Sequence, residues 1–336
     1  MNPGTRQAPL LESVYVFDEN LVALPLPSSM HTAFISHSDC LLHEMGPHHP
    51  ECPARLNAIE DQLIASGLMN TLEQYAAPLA TRAQLERVHT PAYIDSLDAM
   101  APTSGIVYLD PDTAMNPHSL KAAYRAAGAV VLATDLVINR KAANAFCSIR
   151  PPGHHAEHDW AMGFCLFNNI AVGVAHAIQA YALERVAVVD FDVHHGNGTE
   201  DIFRDNPRVM MVSIFQYPFY PYSGVAGRSA SMVNIPLAAD SNGEKFRLVV
   251  SEYWLPALEI FKPQMLFISA GFDAHRDDDL ASLNLLESDY TWVTERIKEV
   301  TDKYAQGRIV SALEGGYELH ALGRSVAAHI KVLGAP

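Results

Sequence analysis

The sequence predicts an α/β protein with a doubly wound parallel sheet, and three observations lead to this expectation. Short apolar runs rich in β-branched residues recur along the chain, which is typical of parallel strands covered on both faces. Amphipathic helical patterns separate these runs. Several runs end in polar residues, and open α/β sheets bind their ligands at the carboxyl ends of strands. The 336 residues, 49% of them apolar, suffice for one large domain with its own core.

The strand-like runs lie, in chain order, at residues 30–37, 145–149, 186–189, 209–214, 264–273 and 308–317. Helical patterns start near Pro53 and cover about 83–100, 119–139 and 168–181. Within residues 1–29, the apolar run 21–27 is too short and too broken by proline to be the apolar region of a signal peptide. We therefore interpret 1–29 as an N-terminal extension and 30–336 as one domain.

Composition excludes several classes of protein. A formal net charge of −15 disfavours direct binding to nucleic acid, which requires a basic patch. No apolar run reaches the roughly 18 residues that a membrane span needs. The four cysteines have no CxxC spacing, so neither a zinc knuckle nor a disulfide framework is indicated. We expect a cytoplasmic protein without a membrane partner, and an oligomer is compatible with this composition.

A metal site is predicted after the apolar run 186–189. Side chains of a strand alternate between faces, so Asp190, Asp192 and His194 point the same way. Asp273 ends another buried run. Two carboxylates and one imidazole leave a coordination position open for water, as catalytic zinc sites do. The alternative is an ordinary cluster of hydrogen-bonded Asp and His at a strand end, and the metal is the better interpretation because buried carboxylates need partners.

These residues would support hydrolysis of an amide. A divalent metal lowers the pKa of bound water towards ~7 and polarises a carbonyl. His154 or His155 can take the proton from that water and return it to the leaving amine. Tyr317, which follows two glycines, can donate a hydrogen bond to the developing oxyanion.

The roles of three other features stay open on this reasoning. Asp110 and Asp112 form either a solvated turn or an acidic rim beside a pocket, and Arg55 would ordinarily be a surface cation. The stretch 216–227 is rich in Tyr, Pro and Gly and is predicted to be a surface loop with Phe219 and Tyr220 at its crown.

Four motifs give the chain a resemblance to the histone deacetylase and acetylpolyamine amidohydrolase superfamily, in its class II-like bacterial form. They are Arg150-Pro-Pro-Gly-His-His-Ala-Glu157, Val189-Asp-Phe-Asp-Val-His-His-Gly-Asn-Gly198, Ser269-Ala-Gly-Phe-Asp-Ala274 and Leu313-Glu-Gly-Gly-Tyr317. The resemblance runs from about residue 30 to the C-terminus. It implies the arginase/deacetylase fold, which is a single α/β/α domain around an eight-stranded parallel sheet.

The resemblance also implies a role for each matching residue. The catalytic set is His155 as general base and acid, His154 as its electrostatic partner and Tyr317 as the oxyanion donor. The Zn²⁺ ligands are Asp192, His194 and Asp273, with Asp190 behind His154 and Asn197 behind His155. Gly163, Phe164, Tyr220 and Leu280 would line the substrate channel, and Arg55 would line an inner cavity. A structural K⁺ or Na⁺ would bind at Asp190, Asp192, His194, Ser213 and Ile214.

Zinc is the expected metal, although the same donor set suits Fe²⁺. The expected substrate is an acetylated lysine of a protein or peptide, because Leu280 offers no partner for the internal ammonium of an acetylated polyamine. The alternative is an acetylpolyamine amidohydrolase, for which Asp277–Asp279 or Asp110 and Asp112 would supply the carboxylate.

Two other classes of protein share the fold. A ureohydrolase with two manganese ions needs a carboxylate at position 195 or 196, where this chain has His195 and Gly196. A reader that binds acylated chains without cutting them would not need the complete catalytic set. Turnover of an acetyl-lysine amide would separate the reader from the enzyme.

Overall fold

The computed structural model describes residues 31–225 and 231–335. In chain order the strands are β1 (Thr32–Ser36), β2 (Leu72–Ala76), β3 (Val107–Tyr108), β4 (Ala114–Met115), β5 (Asn144–Cys147), β6 (Val186–Asp190), β7 (Val209–Gln216), β8 (Met232–Leu237), β9 (Met265–Ala270) and β10 (Ile309–Leu313). Eight of them form one sheet in the order β2-β1-β5-β10-β9-β6-β7-β8, and every neighbouring pair is parallel. β3 and β4 form a separate antiparallel pair.

In the described ranges, nine α-helices lie between these strands and a tenth follows β10. They are α1 (Ala54–Ala65), α2 (Arg82–Leu85), α3 (Pro91–Met100), α4 (Ser119–Ile138), α5 (Asn169–Tyr181), α6 (Asn197–Phe203), α7 (Gly243–Val249), α8 (Leu255–Phe261), α9 (Glu287–Tyr304) and α10 (Leu319–Leu333). Two 3₁₀ turns lie at Ser38–Leu41 and Leu68–Thr71, and a π-helical turn at Val250–Trp254 joins α7 to α8. No helix in the described part of the chain is long and apolar enough to cross a membrane.

The helices cover both faces of the sheet. Helices α1, α9 and α10 pack together, and so do α4 and α5. His329 of α10 lies 2.9 Å from the hydroxyl of Ser311 in β10. Helix α5 approaches the opposite face, where a Cβ on Gly173 would lie 2.9 Å from the ring of Phe267. Because Phe267 pairs with Val310, the neighbour of Ser311, the two groups of helices lie on opposite faces.

The predicted α/β/α domain with an eight-stranded parallel sheet is confirmed. Each predicted apolar run overlaps a strand, although the runs at 264–273 and 308–317 extend beyond β9 and β10 into loops. The helical pattern at 83–100 is divided into α2 and α3, because Thr90 caps α3 and Pro91 begins it. The predicted extension at 1–29 lies outside the described residues.

The two edge strands, β2 and β8, were missing from the sequence-based assignment. β2 is the partly exposed segment LEQYA, and β8 contains Asn234 and Pro236. Edge strands do not need the continuous apolar pattern of central strands, because one side lacks a neighbouring strand.

Candidate active site

The candidate site lies at the carboxyl ends of four adjacent central strands, β5, β10, β9 and β6. β5 leads to the loop with His154 and His155, and β6 to the segment 190–194. β9 leads to Asp273, and β10 to Tyr317. Because these strands are parallel neighbours, residues far apart in the chain meet at one edge of the sheet.

The three predicted metal ligands come together. Nδ1 of His194 lies 3.0 Å from Oδ1 of Asp192 and 3.2 Å from Oδ2 of Asp273. One ligand atom from each residue lies within 4.8 Å of the other two. Both carboxylates are fully buried, and Oδ2 of Asp273 has no hydrogen bond of suitable geometry among the described atoms. A buried carboxylate oxygen without a donor is what a metal ligand requires.

Two glycines allow the carboxylates to lie this close to the backbone. A Cβ on Gly271 would lie 2.0 Å from Oδ2 of Asp192, and a Cβ on Gly315 would lie 2.0 Å from Oδ2 of Asp273. The backbone N–H of Gly315 also donates to Asp192 over 2.9 Å. Any larger residue at either position would displace a ligand oxygen.

The charges at this triad fit a divalent cation. Burial and the nearby carboxylate of Asp192 raise the pKa of Asp273 to about 6. Burial opposes protonation of His194, but Asp192 and Asp273 outweigh it and raise the pKa of His194 to about 10. Two buried carboxylates around one imidazole therefore need positive charge. An oxygen, oxygen and nitrogen donor set suits Zn²⁺ or Fe²⁺.

The two adjacent histidines of the β5 loop have different partners. Nδ1 of His154 lies 2.9 Å from Asp190, and its Nε2 lies 3.7 Å from Asp192. Nδ1 of His155 lies 2.8 Å from Oδ1 of Asn197. Burial alone would lower the pKa of His154, but Asp192 and Asp190 hold it well above its usual value. Burial and the neighbouring His154 and His194 hold the pKa of His155 well below its usual value.

A cavity of about 210 Å³ leads to the triad, and all four predicted channel residues line it. The other lining residues are His155, His194, Tyr317, Phe219 and Asp112. A Cβ on Gly163 would lie 2.4 Å from the ring of His155, so glycine is needed there. Phe164 faces Tyr317 edge to face at 6.0 Å.

The prediction that Phe219 and Tyr220 form the crown of a surface loop is wrong. Phe219 stacks on His194 with ring centroids 5.5 Å apart, and Tyr220 meets His155 edge to face at 5.3 Å. Both aromatic rings are therefore only partly exposed and pack against the two imidazoles of the site. Asp112 lies beside the cavity, which favours the acidic rim over a purely solvated turn.

Arg55 is fully buried, so the ordinary expectation of a surface cation is wrong. Its guanidinium lies 4.9 Å from the centre of the Tyr317 ring, and its Nε donates to the carbonyl of Gly316 over 2.6 Å. Its Nη2 also donates to the carbonyl of Glu314. Arg55 thus holds the backbone on both sides of Gly315.

Sequence reasoning missed two buried carboxylates, Glu51 beside this arginine and Glu314 beside the loop that follows β5. Glu51 accepts hydrogen bonds from Arg55 over 3.0 Å and from Nη2 of Arg150 over 2.7 Å. Glu314 accepts the backbone N–H of Gly153 over 2.7 Å, and burial raises the pKa of Glu314 to about 7. The spacing of Glu51 and Arg55, four residues apart, was the available signal for the first of these contacts.

Two residues of the predicted monovalent cation site are neighbours in the sheet. Ser213 of β7 is the register partner of Asp190 at the end of β6. Oδ1 of Asp190 accepts the backbone N–H of Asp192 over 3.1 Å, and Ser213 donates to the carbonyl of Ile214 over 3.4 Å.

A comparison with protein families identifies the chain. The model of the histone deacetylase domain matches residues 49–333. The chain belongs to the histone deacetylase family. The match contains every candidate site residue, from Arg55 to Tyr317. The chain is accordingly a deacetylase, and therefore a hydrolase.

Relatives of this deacetylase support the same conclusion. It is 36% identical over 299 residues to a probable deacetylase of Archaeoglobus fulgidus, covering 86% of this chain and 82% of the relative. It is 35% identical over 311 residues to a histone deacetylase-like amidohydrolase of Pseudomonas aeruginosa, covering 85% and 81%. Among solved structures, that of the HDA15 HD domain matches with a TM-score of 0.86 and 34% identity, covering 91% of this chain and 88% of that chain.

Proposed function

We propose that residues 30–336 form a metal-dependent amidohydrolase that removes acetyl groups from the N-acetyl-lysine side chains of proteins or peptides. The observation that carries this proposal is the convergence of Asp192, His194 and Asp273 within 4.8 Å, at a cavity that also contains His155 and Tyr317. A divalent ion held by these ligands, Zn²⁺ or Fe²⁺, would supply Lewis acidity that polarises a carbonyl and makes water more acidic.

The chain's own residues supply the remaining chemistry. His155 donates from Nδ1 to Asn197, so its Nε2 carries the lone pair that accepts a proton from the attacking water. His155 then returns this proton to the leaving amine. His154, charged beside Asp190 and Asp192, stabilises negative charge that develops nearby.

Tyr317 is proposed as the oxyanion donor. Its ring lies between Phe164 and Arg55, which limits its movement. The hydroxyl stays protonated at neutral pH, since burial and the nearby Asp273 hold the pKa of Tyr317 well above its usual value. A protonated phenol is what donation to a developing oxyanion requires.

The cavity mouth supports acetyl-lysine as the substrate. Leu280 lines the cavity with 37% of its surface exposed and offers only methyl groups to a substrate's methylenes. Asp278 accepts the backbone N–H groups of Tyr317 and Glu318, so its carboxylate is already occupied.

Asp112 favours the second candidate, an acetylpolyamine amidohydrolase. It lines the same cavity, and burial together with the neighbouring Asp110 raises the pKa of Asp112 to about 6. It is therefore mostly ionised at neutral pH and available to pair with an ammonium. The polyamine activity depends on whether this carboxylate reaches the internal ammonium.

We also propose that a K⁺ or Na⁺ ion binds near Asp190, Asp192, His194, Ser213 and Ile214. The pairing of Asp190 with Ser213 supports this site, because it brings a carboxylate and a hydroxyl to opposite positions of two neighbouring strands. Its role would be structural.

Hydrolysis of defined substrates by metal-reconstituted protein tests the function. We expect the kcat/KM for an acetyl-lysine peptide to exceed that for N-acetylputrescine and N8-acetylspermidine. Faster hydrolysis of the polyamines would favour the second candidate. Absence of turnover on every acetylated compound would contradict both.

The substitution Leu280→Glu tests the assignment of the cavity mouth. A carboxylate at this position should pair with a polyamine ammonium and shift the ratio of kcat/KM values towards polyamines. The control is Leu248→Glu, which adds the same charge to an exposed position on α7. An equal shift in both variants would mean that net charge, and not the cavity mouth, controls the preference.

A further inference from the structure

The side-chain amide that contacts His155 is itself hydrogen-bonded to a carboxylate. Nδ1 of His155 lies 2.8 Å from Oδ1 of Asn197, and Nδ2 of Asn197 donates to Oε1 of Glu157 over 2.8 Å. Imidazole, amide and carboxylate therefore form one hydrogen-bonded series. Asn197 is buried at the start of α6, and Glu157 is half-buried and does not line the cavity.

The partners of Asn197 determine which way its amide points. Its Nδ2 faces the carboxylate of Glu157, the sulfur of Met162 at 3.3 Å and the backbone carbonyl of His155 at 3.4 Å. All three groups are acceptors, so the NH₂ must lie on this side and Oδ1 on the other. Among the described residues, Oδ1 accepts a hydrogen bond only from Nδ1 of His155, which leaves the lone pair of the imidazole on Nε2.

Glu157 is the strongest of the three acceptors. Its contact with Nδ2 is the shortest, and a hydrogen bond to a carboxylate is about twice as strong as one between neutral groups. Thioether sulfur is a weak acceptor, and 3.4 Å is a long hydrogen bond. The backbone of Glu157 is itself held, since its N–H donates to the carbonyl of Trp160 over 2.9 Å and its carbonyl accepts from His89 over 3.0 Å.

We propose that Glu157 is a positioning residue that acts through Asn197 to keep the imidazole of His155 in the tautomer with its proton on Nδ1. This inference rests on the proposed function, in which Nε2 of His155 is the base. Without the carboxylate of Glu157, the side-chain amide of Asn197 rotates by 180° more readily and presents its NH₂ group to His155. The imidazole then keeps its proton on Nε2 and is not available as a base.

The variant Glu157→Leu tests this inference by kinetics. We expect kcat to fall 10- to 100-fold. This is the range typical of removing a side chain that orients a histidine of a metal site through a hydrogen bond. KM should stay unchanged because Glu157 does not line the cavity. Glu157→Gln should restore most of kcat, since its Oε1 still accepts from Asn197. Asp159→Leu, exposed in the same loop, is the control and should retain the kcat of the unmodified protein.

A second variant, Asn197→Asp, distinguishes a positioning role of Glu157 from a purely structural one. In Asn197→Asp, both side-chain oxygens are acceptors, so the side chain has no donor to turn towards His155. In this background Glu157→Leu and Glu157→Gln, neither of which leaves a second carboxylate beside the new one, should differ in kcat by less than threefold. Equal losses of kcat in both backgrounds, or a loss that follows a lowered Tm, would overturn the inference.

Nitrogen NMR of the His155 ring in the zinc-loaded protein gives a measurement independent of turnover. The unmodified chain should show a protonated Nδ1, and Glu157→Leu should shift protonation to Nε2. Unchanged ¹⁵N shifts of His155 in Glu157→Leu would overturn the inference. If the unmodified chain hydrolyses no acetylated substrate while these shifts change as expected, the proposed function fails and the positioning role stands.

Discussion

At the scale of single residues, the candidate site favours a charged imidazole at His154 and a neutral one at His155. The rings of His154 and His155 lie 4.0 Å apart, yet one is paired with carboxylates and the other with an amide. Neighbouring anions favour the charged imidazole, whereas burial beside other cations favours the neutral one. One histidine therefore supplies fixed charge while the other remains able to accept a proton.

Replacing Tyr317 with Phe should remove a single transition-state contact. Loss of one oxyanion donor typically lowers kcat by 10²–10³-fold, about 3–4 kcal/mol. The packing against Phe164 and Arg55 is retained, so the variant should fold, keep its metal and bind substrate. Measuring kcat, metal content and Tm together checks this prediction.

The matched control for this prediction is Tyr108→Phe, which removes the hydroxyl of an exposed tyrosine in β3. It should retain normal kcat. A Tyr317→Phe variant with near-normal kcat would exclude Tyr317 from the mechanism.

At the scale of elements, the strand ends were predictable, and the loops that complete the site were not. Apolar runs ending in Asp190 or Asp273 indicate both a buried strand and its functional end, because the pattern is local. The inward turn of Phe219 depends on His194, which a different strand delivers. The burial of Arg55 depends on Glu51 and on carbonyls beyond β10, and such distant contacts leave no periodic pattern.

His89 connects three elements and should make stability depend on pH. It lies between α2 and α3, donates from Nδ1 to the carbonyl of Glu157 and accepts at Nε2 the backbone N–H of Asn168, which caps α5. Burial lowers the pKa of His89 from 6.5 to about 4. The unfolded chain therefore takes up this proton first as the pH falls. The contribution of His89 to the free energy of unfolding is therefore present above about pH 6.5, and it is lost progressively as the pH falls towards 4.

The His89 contribution to the free energy of unfolding should fall by about 2 kcal/mol between pH 7 and pH 5. His89→Gln keeps a donor and an acceptor but does not titrate, so its stability should vary less over this range. Denaturant unfolding at both pH values measures the difference. His118→Gln, at an exposed position, is the control. Identical pH dependence in the original chain and His89→Gln would contradict the prediction.

At the scale of the whole molecule, binding at the triad should stabilise the entire domain. A ligand that binds only the folded state adds about 2.7 kcal/mol at 100 times its Kd. Zn²⁺ added to metal-stripped protein should therefore raise Tm, and a chelator should reverse the rise. Asp273→Asn keeps the hydrogen bond that Val193 donates over 2.9 Å but removes a charged ligand, so it should lose both metal and this rise in Tm.

Metal content and thermal unfolding measured on the same samples check this prediction. Asp279→Asn is the control, because it removes an exposed carboxylate near the cavity mouth and should retain metal. An Asp273→Asn variant with one equivalent of metal and normal turnover would show that the ligand assignment is wrong.

The position of β10 has a consequence for synthesis on the ribosome. β10 comes last in chain order among the described strands, yet it lies in the middle of the sheet between β5 and β9. A nascent chain that ends before Ile309 can pair β2, β1 and β5 on one side and β9, β6, β7 and β8 on the other, but no strand joins the two groups. Each half then presents an unpaired apolar edge, which is a template for aggregation. The ribosome must therefore translate β10 before the eight-stranded sheet can be completed. Chains that terminate before β10 should be substrates for chaperones and proteases rather than partly active enzymes.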